Sequence, residues 1–90
     1  MNIKFERENK RVAAYDGDQV IGEVTFSESP NLWIADHTDV NPAYKGQRIG
    51  NQMVLRLVEE ARKEGMKIMP LCPFAAAEFK KNPSYADVLK

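Results

Sequence analysis

The sequence predicts an α/β domain: a mixed sheet of about five strands with two helices. Three observations carry this. Over residues 1–40, apolar and polar residues alternate in short runs separated by turn signals, as strands do. From Ile49 onward the period becomes helical, with Ile49, Met53, Val54, Leu57, Val58 and Ala61 recurring on one face. A short apolar run then follows the helix, so residues 32–72 form a strand–helix–strand unit. A right-handed crossover of that kind sets strands 4 and 5 parallel.

In order, IKFERE (3–8) alternates as the first strand. RVAAY (11–15) and QVIGEVTF (19–26) flank Asp16-Gly17-Asp18, a hairpin signal because glycine accepts positive φ without steric cost. SESPN (27–31) is the next turn, and LWIADHTDV (32–40) the fourth strand. Counted by parity without a bulge, Leu32, Ile34, Asp36, Thr38 and Val40 share one face, and Trp33, Ala35, His37 and Asp39 the other. Glu59 precedes Lys63 by four residues, the favourable order for a helical ion pair. Gly65 suits the C′ position that ends the helix. KIMPLC (67–72) is a short buried strand, and PFAAAEFKK (73–81) a second helix with Pro73 at its first position. Asn82-Pro83 ends it, and the tail SYADVLK is too short to assign.

Ninety residues make a single domain, 1–90, with one small core. Thirteen basic and thirteen acidic residues leave no net charge, so no overall field recruits nucleic acid or an anionic membrane. Neither is an expected partner. One cysteine, Cys72, allows no internal disulfide and suits a reducing cytoplasm. The charged start MNIKFEREN is unlike a signal peptide, and no apolar run approaches a bilayer-spanning length. One histidine and one cysteine do not make a zinc site, so no metal is expected.

The stretch NPAYKGQRIGNQMV (41–54) puts two glycines and two cations at a helix mouth. A helix N-terminus offers unpaired N–H groups and the positive end of a dipole, which together bind phosphate. Lys45 and Arg48 add formal charge. A plain strand-to-helix connection with solvated cations accounts for the same spacing. Neither the phosphate-loop nor the dinucleotide-binding glycine pattern is present.

HTDVNPAYKGQRIGNQMVLRLVEEARKEG (37–65) resembles motif A of the GNAT N-acetyltransferase superfamily, a strand, then Arg/Gln-x-x-Gly-x-Gly/Ala, then a helix. In that family the loop's backbone amides hold the pyrophosphate of acetyl-CoA. Lys45 takes the Arg/Gln place and Gly50 the last small position, with Gly46, Gln47, Ile49 and Asn51 in the usual run. Arg48 departs from the glycine usual there. DHTDV, PLCPF and NPSYADV together resemble a short GNAT-like branch of about this chain length, which lacks the N-terminal helices of the usual acceptor site. The resemblance implies a GNAT-like fold whose fourth and fifth strands splay apart around the acyl-pantetheine arm. It also implies acetyl-CoA as co-substrate, an unidentified amine as acceptor, and pantetheine contacts from the backbone around Asp39, Val40 and Asn41.

Several residues keep two readings. Pro70 suits the splay or an ordinary edge strand. Cys72 precedes the first residue of a helix, a position that favours thiolate; it is a nucleophile for the acetyl group, or it lines the pocket as a small buried side chain. His37 is a base for Cys72 or a core histidine bonded to backbone. Tyr85 is a general acid or a packing residue. Lys80 and Lys81 meet the 3′-phosphate or are solvated. Phe74, Phe79, Met53, Met66 and Met69 read as core, and Trp33 as a packing anchor. The leading expectation is a minimal acetyl-CoA-dependent N-acetyltransferase. The alternative is a non-catalytic acyl-CoA-binding sensor or protein-interaction module.

Overall fold

The computed structural model describes residues 1–90. Five strands lie in chain order across one sheet: β1 (Asn2–Glu6), β2 (Arg11–Asp16), β3 (Gln19–Ser29), β4 (Leu32–Val40) and β5 (Lys67–Pro70). The first four are antiparallel, and β5 runs parallel to β4. Helix α1 (Ile49–Glu64) makes the crossover, and α2 (Pro73–Lys81) follows β5. The expected element order and the parallel pair are observed. No helix is long and apolar enough to cross a membrane.

The hairpin turn places Gly17 at φ +61°, the conformation for which Asp-Gly is suited. Helix α1 buries Ile49, Met53, Val54, Leu57, Val58 and Ala61 against the sheet, the periodic positions of the sequence. Gly65, at φ +68°, ends it by donating its N–H to the carbonyls of Ala61 and Arg62. On the exposed side the ion pairs are Arg56–Glu60 and Lys63–Glu60, not the expected Glu59–Lys63. Beneath α1 sits an aromatic group of Phe5, Phe26 and Trp33, with Phe26 and Trp33 ring centres 4.8 Å apart. Trp33 is fully buried, as an anchor should be, although its Nε1 finds no acceptor.

Two β-bulges decide which side chains meet α1. In β3, Ala14 opposes Gly22 while Tyr15 opposes Val20, which leaves Ile21 as the extra residue. In β4, Thr25 opposes His37 while Phe26 opposes Ala35, so Asp36 is the extra residue. A bulge resets the alternation beyond it. Trp33 and Ala35 therefore share the α1 face with Thr38, whose cross-strand partner is the buried Val24. His37 turns to the other face and is exposed. The parity expected for β4 fails at that point, and so do both readings of His37.

The tail left unassigned in the sequence forms a 3₁₀ turn (Pro83–Val88) that buries Tyr85 and Val88. Leu89 then bridges Ile68, and the Lys90 N–H donates to the Ile68 carbonyl at 2.9 Å. The tail thus covers the outer edge of β5, which would otherwise present unpaired backbone. Arg62 fastens it through two bonds to the Asp87 carboxylate.

Replacing Trp33 by alanine is expected to cost about 3–5 kcal/mol of stability, whereas His37→Ala should stay within about 0.5 kcal/mol. Urea unfolding of both variants measures this, and a large loss in His37→Ala would contradict the β4 bulge.

Candidate functional site

After β4 the chain makes a 3₁₀ turn (Pro42–Tyr44), closed by Asn41. The Asn41 side chain accepts the Ala43 N–H at 2.9 Å, and the Asn41 backbone N–H donates to the Ile21 carbonyl at 2.8 Å. The Tyr44 hydroxyl donates to Asp16 and so ties the turn to the β2–β3 hairpin. Two residues then adopt left-handed backbone, Gly46 at φ +86° and Arg48 at φ +57°. Arg48 stands where glycine is usual in the resembling motif, and this geometry gives the physical reason for that glycine.

The consequence is a row of donors. Gly46, Gln47, Arg48, Ile49, Gly50 and Asn51 donate their backbone N–H groups to no acceptor in the protein; the first helical bond is Gln52 N–H to the Arg48 carbonyl. Six consecutive free amides at the start of a helix make a cradle suited to an anion, with the helix dipole of the same sign. Lys45 and Arg48 are both exposed and make no ion pair.

Beside the cradle the sheet opens. β4 pairs with β5 only from Leu32 to Ala35, ending at Ala35–Pro70. The Leu71 and Cys72 N–H groups both turn back to the Ala35 carbonyl, at 3.1 and 3.0 Å. From Asp36 to Val40 the strand has no neighbour on that side. Cys72 then caps α2. Its thiol is buried and lies 3.2 Å from the Thr38 hydroxyl. Burial pushes the thiol up, but the Thr38 hydroxyl and the α2 amides of Ala75 and Phe74 favour the thiolate more, so it falls below the ordinary thiol value.

A cavity of about 320 Å³ runs from the loop to Thr38; Cys72, expected as a site residue, does not line it and meets it only through Thr38. Of the expected residues, Val40, Lys45, Gly46, Arg48, Ile49, Gly50 and Asn51 line it. Asp39 and Asn41 line a groove with Gly22 and Glu23 instead, and Gln47 lends its carbonyl to the Gln52 side chain at 3.2 Å. The structure does not bring His37 to Cys72; Thr38 stands there, because the bulge exchanged the two. Three lining residues were not read as site residues: Thr38, Tyr44 and Phe74. Only the bulge selects Thr38, and no sequence signal marks it. Phe74, read as core, is 37% exposed. Its ring crosses Gly50 so closely that a Cβ there would come within 2.7 Å of it, so Gly50 serves helix packing as well as the cradle. Met66 and Met69 are half-buried, while Met53 and Phe79 are core. Tyr85 packs edge-on against Phe79 at 5.7 Å, away from Cys72–Thr38, which fits its packing reading. Lys80 and Lys81 are exposed and line no part of the cavity.

Residues 10–88 match the family model described as GCN5-related N-acetyltransferase. The chain belongs to that family. A GCN5-like N-acetyltransferase from Staphylococcus aureus, solved by NMR and described as putative, is 30% identical, with a TM-score of 0.80 over 99% of this chain and 87% of that one. A Mycobacterium tuberculosis protein crystallised with CoA (24% identity, TM-score 0.67, 86% of this chain) and an IAA acetyltransferase from Bacillus cereus (23%, 0.63, 79%) share the fold. This chain spans about half the length of those two, 50% and 51%. A comparison with curated proteins returns no significant match.

Alkylation of Cys72 by iodoacetamide should rise with pH around a midpoint below that of free cysteine. Thr38→Val should move the midpoint upward, because the hydroxyl bond that favours thiolate is gone. An unchanged profile would remove Thr38 from this role.

Proposed function

We propose that the protein is an acetyl-CoA-dependent N-acetyltransferase acting on an amine acceptor. The observation that carries this reading is the row of six free amides, Gly46 to Asn51, all but Gln47 belonging to residues that line the cavity with Thr38 and Val40. The amides receive the pyrophosphate, with Lys45 and Arg48 adding charge. The unpaired stretch of β4 offers backbone groups to the amide-bearing pantetheine arm. That path ends at Thr38, whose hydroxyl lies 3.2 Å from the Cys72 thiol. Two routes follow from there. The neutral amine attacks the acetyl carbonyl directly, the C–N bond forms as the C–S bond breaks, and the amine's proton passes to the departing CoA thiolate. Alternatively the Cys72 thiolate attacks first, CoA leaves, and the amine then takes the acetyl group and restores the thiolate.

A second reading, an acyl-CoA-binding sensor or interaction module without turnover, draws on one observation. No His, Asp or Glu side chain lines the cavity to take the proton from an incoming ammonium.

Calorimetric titration with acetyl-CoA tests the site. Gly46 has open space around its Cβ position but a left-handed φ, so Gly46→Ala reports backbone strain alone. Gly46→Glu adds a negative charge in the cradle. Wild-type protein should bind saturably, the alanine variant more weakly, and the glutamate variant not at all. No wild-type binding at millimolar acetyl-CoA would overturn the proposal. With an amine acceptor found, Cys72→Ala retains turnover on the direct route and loses essentially all of it on the covalent one.

A further inference from the structure

We propose that Glu78 is a positioning residue for Arg48: its buried carboxylate draws the Arg48 guanidinium across the groove between α1 and α2, and so holds the loop that carries the free amides in its anion-binding shape. This rests on the reading of residues 46–51 as an anion site. Glu78 is the one charged residue that is buried, at 2% exposure. Its carboxylate accepts no hydrogen bond from the protein, and the cation beside it, Lys81, is 4.0 Å away with its own side chain 71% exposed. A carboxylate held out of water without a close cation is costly.

Arg48 has the complementary need. It is exposed, makes no ion pair and holds left-handed backbone at φ +57°. Any side chain but glycine is strained there. Its side chain caps no amide of α1, so nothing within the loop offsets that strain.

The two residues meet in one place. Arg48 and Glu78 line the same groove of about 200 Å³, walled by Asn51, Leu55, Asn82 and Tyr85. Burial, then the Glu78 charge, push the Tyr85 hydroxyl up, while Arg62 and Arg48 oppose them, so both members of the pair lie within electrostatic reach of one hydroxyl. Rotation about the Arg48 side-chain torsions carries the guanidinium to the carboxylate and leaves the backbone in place. A guanidinium suits Glu78 better than the Lys81 ammonium does, because it is less strongly hydrated and its planar fork matches both carboxylate oxygens. Arg48 also lines the cavity beside the free amides, and its five N–H donors serve the carboxylate and an anion together. Glycine at 48 would relieve the backbone, but an arginine ties the loop to α2.

Melting and pyrophosphate titration of wild type, Arg48→Gly, Glu78→Gln and the double variant test this. Backbone strain alone predicts that Arg48→Gly raises the melting temperature in either background. The pairing predicts a change of sign. Arg48→Gly should lower the melting temperature by about 4–8 °C while Glu78 is present, since a buried charge loses its partner, and should raise it in the Glu78→Gln background. Inorganic pyrophosphate supplies a readout that a merely structural role would leave unmoved. Glu78→Gln should weaken its binding about 3- to 10-fold while Arg48 is present, the ordering cost of one long side chain, and should not weaken it in the Arg48→Gly background. Tighter pyrophosphate binding in Glu78→Gln shows a carboxylate that only repels anions, and overturns the proposal. A rise in melting temperature for Arg48→Gly in both backgrounds overturns it too, as does a fall that follows Lys81→Gln instead. Each of these outcomes leaves the anion site intact. Wild-type binding to neither pyrophosphate nor acetyl-CoA removes the anion site, and the role of Glu78 with it.

Discussion

Pro70 has no backbone N–H, and the sheet divides there. The last parallel pair is Ala35–Pro70, and the next two amides, Leu71 and Cys72, fold back on one carbonyl rather than extend the ladder. A continued ladder would have paired Asp36–Val40 and closed the cavity. Its ending leaves the outer half of β4 free, turns the chain into α2, and sets Cys72 at that helix's N-terminus facing Thr38. The cavity, the depressed thiol and the approach of α2 to α1 all follow from one missing donor.

Unfavourable local conformations gather where the anion cradle is. Arg48 holds left-handed backbone at about 1–2 kcal/mol. Six amides go without partners nearby. Offsetting stability comes from elsewhere in the chain. The α1 stripe from Ile49 to Ala61 buries its apolar surface against the sheet, and Phe5, Phe26 and Trp33 stack beneath it. Separating a rigid scaffold from a strained loop is the usual arrangement for a binding site.

The two faces of the sheet differ in kind. One is packed under α1. The other carries Lys4, Glu6, Arg11, Tyr15, Glu23, Thr25 and His37, each exposed or half-buried. Side-chain bonds knit much of that face together: Glu6 accepts from Tyr15 and Arg11, and Arg11 also reaches Glu23 at 3.0 Å. The Tyr15 hydroxyl, then Arg11, hold the Glu6 carboxyl below its ordinary value. The pairing therefore stabilises the fold above the unfolded pKa of Glu6 and is lost as pH falls through the folded one.

Local signals were legible in the sequence. Asp-Gly fixed a hairpin, helical spacing fixed α1, Gly65 ended it, and the loop at 45–51 marked a helix mouth. The chain could state these because each depends on residues a few positions apart. Which of Thr38 and His37 faces Cys72 was not legible, since one extra residue in β4 exchanges them and that bulge is set by pairing with β3, through Phe26–Ala35 and Thr25–His37. The tail at 84–90 lacked periodicity and gained its structure only by meeting the edge of β5. By itself, then, the sequence determined the elements, their order and the glycine-containing loop at the mouth of α1, because backbone conformation and amphipathic spacing are short-range. The tertiary structure alone decided which side chains share a cavity, because that depends on strand register and helix contact between distant segments.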